Sequence, residues 1–269
     1  SAASDVYKRQ VGALLVRQAD LERTADNRAK AEELYLRAIA IDEASLGREN
    51  PQTALAIERL GNLYDWSDDY LRAEPLLTEA FAITQKTLGS DHPRLIQCLS
   101  DISLLHINRH DYHRALEDLQ RAQPIADKSL EPDDFLSILV LNNLGNTYRS
   151  LEDYDRAEPL IERVVEMIEK KYGPDYPRLS TPLMNLGIFA RRKKQYARSL
   201  ELLWRAETIR EKSYGAKNSE TARTLITIGN TYRVEEDYPK ALETYTRAQE
   251  ILKAVAGPYD VLLLLTYVN

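Results

Sequence analysis

The sequence predicts an all-α fold, a solenoid of antiparallel helix pairs, and three observations predict it. The first is a period: Gly61, Gly145, Gly187 and Gly229 fall in one column, with Ser103 in the remaining place, at an unbroken spacing of 42 residues. The second is that the same shift aligns other columns. Tyr70, Tyr112, Tyr154, Tyr196 and Tyr238 coincide, as do Ala73, Ala115, Ala157 and Ala241 with Ser199, and Gly47, Gly89, Gly173, Gly215 and Gly257. The third is the pattern inside one period. Residues 141–173 read as two amphipathic helices around a polar turn, and each copy can bury its apolar face only against its neighbours.

Taken in order, residues 1–10 match the columns poorly and are expected to lie outside the array, as a linker, a processing product or a non-native scar. A degenerate first copy covers 11–47; Ala31, Tyr35 and Ala38 fit its second helix, while Gln18 and Glu22 stand where Leu and Tyr belong. In the second copy, 48–89, Ile57, Leu60, Gly61 and Tyr64 form a core stripe at i, i+3, i+4, i+7. Copies follow at 90–131, 132–173, 174–215 and 216–257, and 258–269 reads as the start of a seventh, so a longer protein is expected. Asp69, Asp111, Asp153 and Asp237 are placed to cap the second helices, with Gln195 a weak substitute. Pro75 and Pro159 should bend theirs slightly. The small column marks where the two helices of a copy cross, and overpacking there costs about 1–3 kcal/mol. Copy three is the most irregular internal one: His106 replaces Tyr, Leu104 a polar residue and Glu131 the junction Gly, which makes it the expected place for a bend.

These columns resemble the tetratricopeptide repeat, in the 42-residue form found in kinesin light chains and many bacterial multidomain proteins. The fourth copy carries the family pattern at Leu141, Leu144, Gly145, Tyr148, Asp153, Tyr154, Ala157 and Ile161, with Val164 in place of a small residue. The Leu-Gly-x-Asp-His-Pro junction of the long subtype stands intact at Leu88, Gly89, Ser90, Asp91, His92 and Pro93. The resemblance implies a right-handed superhelix whose first helices line a concave surface.

Composition narrows the function classes. The net charge of −6 argues against general nucleic-acid binding. The apolar run from Val261 to Leu265 is far too short to span a bilayer. Cys98 is the only cysteine, which favours a reducing, cytoplasmic setting. His106, His110 and His113 have a metal-ligand spacing, but the helix should end between them and the imidazoles diverge. No phosphate loop, nucleophile motif or cofactor motif appears, so no catalytic residue, metal ligand or cofactor is expected within the segment.

On the concave surface the resemblance places Asn142, Asn146 and Arg149 in copy four, Thr181, Met184, Ile188, Arg191 and Arg192 in copy five, and Arg223, Ile226, Asn230 and Arg233 in copy six. Earlier copies offer Glu58, Asn62, Asp65 and Trp66, then Gln97, Leu104 and Ile107. Five arginines with asparagines in an acidic protein suggest an extended acidic peptide, its carboxylates on the guanidinium forks and its backbone on the Asn amides. The same arginines could instead pair with Glu and Asp of adjacent copies. Trp204 reads as structural.

The expected function is therefore a non-catalytic scaffold that binds a partner protein or peptide, an acidic one on this reading. Two alternatives stand beside it: the regulatory arm of a larger bacterial signalling enzyme, and self-stacking through an uncovered terminal helix.

Overall fold

A computed structural model describes residues 2–131 and 133–255, with side chains from residue 10 onward in those ranges. The chain divides into two compact units, one ending at Leu151 and one beginning at Glu152. The first holds α1 (Ala2–Thr24), α2 (Arg28–Leu46), α3 (Pro51–Trp66), α4 (Tyr70–Leu88), α5 (Arg94–Asn108), α6 (Tyr112–Ser129) and α7 (Phe135–Ser150). The second holds α8 (Tyr154–Tyr172), a 3-10 turn (Pro177–Leu179), α9 (Ser180–Arg192), α10 (Tyr196–Tyr214), α11 (Ser219–Val234) and α12 (Tyr238–Val255). Among the described residues there is no strand.

Within each unit the helices pack in chain order, α1 on α2, α3 on α4 and α5 on α6 in the first, α9 on α10 and α11 on α12 in the second, and each pair rests on the next. Residues before position 11 continue α1 back to Ala2, which their lack of Gly and Pro permits. Copy three, irregular in sequence, forms two complete helices, and the division between units falls at Leu151 in copy four. The expected start of a seventh copy lies outside the described residues.

The uninterrupted period has a cause in the turn. Asp26, Asp68, His110, Glu152, Lys194 and Glu236 all have φ between 58° and 68°. The next residue closes the first helix by a six-residue bond, as in Asp69 N–H to Tyr64 C=O (2.9 Å), Asp111 to His106 (2.8 Å), Gln195 to Ala190 (2.9 Å) and Asp237 to Tyr232 (2.9 Å). Its side chain then caps the second helix, for Asp69, Asp111, Asp153 and Asp237 accept from Arg72, Arg114, Arg156 and Lys240 N–H; Gln195 makes no such bond. One residue ends one helix and starts the next, so an inserted residue would break both. None of the six left-handed residues is glycine, although that conformation costs an L residue about 1–2 kcal/mol. Lys194 is exposed at such a site. Lys194→Gly should relieve more strain than the ~0.5–1 kcal/mol of added unfolded-chain entropy. We expect a modest rise in the urea unfolding midpoint; a fall would show the residue to be unstrained.

The small column is the helix crossing. A Cβ on Gly61 would meet Leu77 Cγ at 2.9 Å, and one on Gly229 would meet Tyr245 Cε1 at 2.6 Å. Ser199, in the alanine column, is buried and donates to the Gly187 carbonyl at 2.7 Å, which ties α9 to α10 at the crossing. Around these contacts run the apolar cores, with Tyr35, Ile57, Leu63 and Leu105 in the first unit and Leu203, Leu225, Ile228 and Leu252 in the second.

Candidate functional site

In the first unit the predicted acidic face is a buried seam. The Glu58 side chain is only 2% exposed and accepts from Arg94 Nη2 through both oxygens at 2.8 Å, while the Cys98 thiol donates to Glu58 Oε2 at 3.0 Å. Asn62 and Gln97 donate to the two oxygens of Asp101 at 2.7 and 2.6 Å, and Asn108 donates to Asp65 at 3.1 Å. Glu58 and Asp65, expected to face a ligand, therefore join α3 to α5, and both are buried. Burial and the Glu58 charge push the Asp101 carboxyl up to about 7, and burial also raises Asp65 and the Cys98 thiol. What remains open beside the seam is apolar: Trp66 and Leu104 are exposed and Ile107 is half-buried.

The histidines do not converge. His106 is buried with Nδ1 at 2.8 Å from Asp118 Oδ2, His110 sits in the turn against the Tyr112 hydroxyl at 2.8 Å, and His113 is exposed. Among the described residues no cluster of His, Cys, Asp and Glu could hold a metal ion, and no helix is long and apolar enough to cross a membrane. Asn142, Asn146 and Arg149 are half-buried on α7 in this unit, and Arg149 Nε has no hydrogen-bond partner.

In the second unit α9 and α11 are joined by Arg210 of α10, a residue the sequence reading passed over. Its guanidinium is 3% exposed and donates to the Glu220 carbonyl (2.8 Å), Thr224 Oγ1 (2.7 Å) and Thr181 Oγ1 (3.2 Å), and contacts Met184 Sδ at 3.9 Å. Met184 and Ile188 are half-buried, whereas Ile226, expected to receive a ligand side chain, is part of the core. Trp204 is half-buried, packs against that core and donates to the Tyr232 hydroxyl at 3.4 Å, as a structural residue should.

The four arginines predicted here differ in what they touch. Arg223 pairs with Glu220 at 3.4 Å, one turn away on its own helix. Arg192 is exposed and lies 4.0 Å over the Tyr154 ring. The side chains of Arg191, half-buried, and Arg233, exposed, have no hydrogen bond or ion pair to any described residue. Burial, with the charges of Arg233 and Arg192 added, holds the Arg191 guanidinium below the usual arginine range. Asn230 Oδ1 accepts from the Tyr245 hydroxyl at 2.7 Å, so its amide nitrogen is the group left to donate. Several other cations of this unit are paired: Lys193 with Glu158, Arg205 with Glu169, Lys212 with Asp175 and Arg247 with Glu207 and Glu211.

Helical hairpins repeated at one period, with the first helices carrying the variable polar residues, define a helix-pair solenoid. The tetratricopeptide-repeat family model matches residues 55–128, 136–188 and 178–254, and the chain belongs to that family. Comparison with curated proteins returned no match. Among solved structures, BtubC (BKLC) from P. vanneervenii is 22% identical with a TM-score of 0.69, covering 89% of this chain and 94% of that one. A Podosopora anserina protein described as a kinesin light chain with nearly identical TPR-like repeats is 20% identical with a TM-score of 0.64, covering 78% and 100%. A Rap protein solved in complex with competence and sporulation factor is 14% identical with a TM-score of 0.64, covering 94% and 72%. At these identities the likeness is one of fold.

Proposed function

We propose that the chain is a protein-interaction scaffold without catalysis of its own, and that the α9/α11 face of the second unit holds an extended acidic peptide. The observation that carries this reading is the pair Arg191 and Arg233. In a protein of net charge −6, where Lys193, Arg205, Lys212, Arg223 and Arg247 have acidic partners, the Arg191 and Arg233 guanidinium groups stand without one, and the more buried is further disfavoured by its like-charged neighbours. An anionic guest supplies the missing charge, with bidentate bonds to each fork. Asn230 offers a donor beside them, and Met184 and Ile188 offer apolar contact. That a Rap protein of this fold is complexed with a factor supports partner binding as a use of such helices. The free, buried Cys98 fits a reducing, cytoplasmic setting.

The test is fluorescence anisotropy of a pool of acidic peptides against the purified chain and against the triple variant Arg191→Ala, Arg192→Ala, Arg233→Ala. We expect at least about tenfold weaker binding in the variant, with unchanged helical content and a steep decline as salt is raised. Equal affinity for both proteins would remove this face from consideration.

A further inference from the structure

We propose that α1 of one copy docks on α12 of a second copy, so that copies of this chain join head to tail. The repeat itself supplies the geometry. In every copy after the first, two places seven residues apart on the first helix are buried; Ala56 with Leu63, Cys98 with Leu105 and Thr224 with Thr231 are three such pairs. They face the second helix of the preceding copy. Thr224 Oγ1 accepts from Arg210 of α10 at 2.7 Å, Thr231 Oγ1 lies 3.3 Å from Ser199 Oγ of α10, and Phe189, in the same column as Thr231, meets the Tyr154 ring of α8 edge-on at 5.8 Å. In α1 the two places hold Leu14 and Leu21, which are 61% and 69% exposed.

The other half of this contact stands open on α12. The tyrosine that begins a second helix is half-buried at Tyr70, Tyr112, Tyr154 and Tyr196, whereas Tyr238 is 62% exposed. Leu200 of α10 is half-buried and packs against the core that α11 shares, while Leu242, in its column, is 69% exposed. Tyr238 and Leu242 line a hollow of about 530 Å³. A second copy fits it because α1 is a first helix of the same period, with leucine at both columns. In register, Leu21 takes against Tyr238 the place that Phe189 holds against Tyr154, and Leu14 continues the stripe. The two surfaces differ, so the contact is heterologous and each docking leaves one α1 and one α12 free. One helix on one helix is a small interface, and association at about 10–100 μM is expected.

The experiment is sedimentation equilibrium of the full chain from about 1 to 300 μM, with two variants that block one end each. Leu14→Asp with Leu21→Asp blocks α1, and Leu242→Asp blocks α12; all three side chains are exposed, so helical content by circular dichroism should not change. We expect the mean mass of the parent chain to rise at least about twofold over this range without levelling at a dimer. Each variant alone should keep the mass of one chain. Mixed in equal amounts, the variants should form pairs that grow no further, because only one open α12 and one open α1 remain between them. A parent mass of one chain throughout would overturn the association, and is the result expected if residues 258–269 of the same chain cover α12. Self-association of either variant alone, or a mixture without pairs, would overturn the head-to-tail arrangement. Every protein in the series keeps Arg191 and Arg233, so peptide anisotropy on the same samples reports the α9/α11 face separately.

Discussion

Gly187→Ala should destabilise the second unit by about 1–2 kcal/mol, although alanine is the better helix former. Propensity alone favours alanine by ~0.8–1 kcal/mol. Against it, the new Cβ would lie 2.6 Å from Leu203 Cγ and 2.8 Å from Leu203 Cδ2, and 3.3 Å from the Ser199 carbonyl. The leucine can turn, but the carbonyl belongs to the α10 backbone, and Ser199 Oγ holds that helix to the Gly187 carbonyl at 2.7 Å. Relief therefore requires the two helices to separate, and overpacking of about 1–3 kcal/mol outweighs the propensity gain. Gly187→Leu should be worse. The companion variant apportions the cause: Leu203→Ala alone should cost about 2–5 kcal/mol by leaving a cavity, and adding Gly187→Ala to it should cost less than in the parent chain, with the Ser199 carbonyl the contact that remains. Urea unfolding monitored by circular dichroism measures all three. Strict additivity of the two substitutions would mean that they do not meet.

The crossing was legible because glycine in a helix is conspicuous and recurs every 42 residues. Helix starts were legible for the same kind of reason, since Asp69, Asp111, Asp153 and Asp237 before second helices have a specific bonding role. The left-handed turn residue was not, for its column reads Asp, Asp, His, Glu, Lys, Glu and residue type alone suggests nothing about φ. Nor was the alternation at the junctions. Asn50, Asp134 and Asn218 cap α3, α7 and α11, and Thr53, Ser137 and Thr221 donate back to the carbonyls of Gly47, Glu131 and Gly215. The copies between them carry Leu95 and Leu179 in place of the hydroxyls, while His92 Nδ1 still accepts from Arg94 N–H at 3.1 Å, so it is the hydroxyl bond that alternates.

The faces were harder to read than the frame. Glu58 and Asp65 stand in columns that the family leaves open, but here Arg94 and Asn108 lie 36 and 43 residues onward and draw them inward. Complementary residues about one period apart were the available signal, and searching for them would have found both pairs. Arg210 gave no signal of that kind. Its column holds Asp42, Thr84, Ala126, Ile168 and Leu252, and its closest partners are two threonine hydroxyls and a carbonyl, with the Glu220 carboxylate farther off at 3.5 Å. The sequence reading placed arginines and asparagines on α9 and α11. It could not foresee that Arg223 would be satisfied within its own helix while Arg191 would be left without an acid.

The chain should be more stable at pH 5.5 than at pH 8, and Asp101→Asn should remove most of the difference. Asp101 sits between Asn62 and Gln97 on the α3/α5 seam, with Glu58 and Arg59 of α3 acting on its charge. Burial first, and Glu58 second, push its carboxyl up to about 7, against 3.8 for a free side chain. Below pH 3.8 both folded and unfolded chains hold the proton. Between 3.8 and 7 the folded chain keeps a proton that the unfolded chain has released, so this contribution to stability falls as pH rises through the interval and is gone above 7. The gap sets an upper bound of about 4 kcal/mol, and Asp101 is half-buried, so about 1–2 kcal/mol is the expected size. The raised carboxyls of Asp42, Asp65 and Glu207 act in the same direction. Opposing them are the caps Asp69, Asp153 and Asp237, lowered chiefly by their bonds to Arg72, Arg156 and Lys240; their contribution is lost only below the free-carboxyl range, outside this window. An asparagine at 101 keeps the shape, its neighbours can rotate their amides to face it, and the repulsion from Glu58 disappears. The variant should therefore gain stability at both pH values, and more at pH 8 than at pH 5.5, where only part of the interval has been crossed. Parallel pH profiles of the unfolding midpoint for the two proteins would show that Asp101 titrates as an ordinary surface acid.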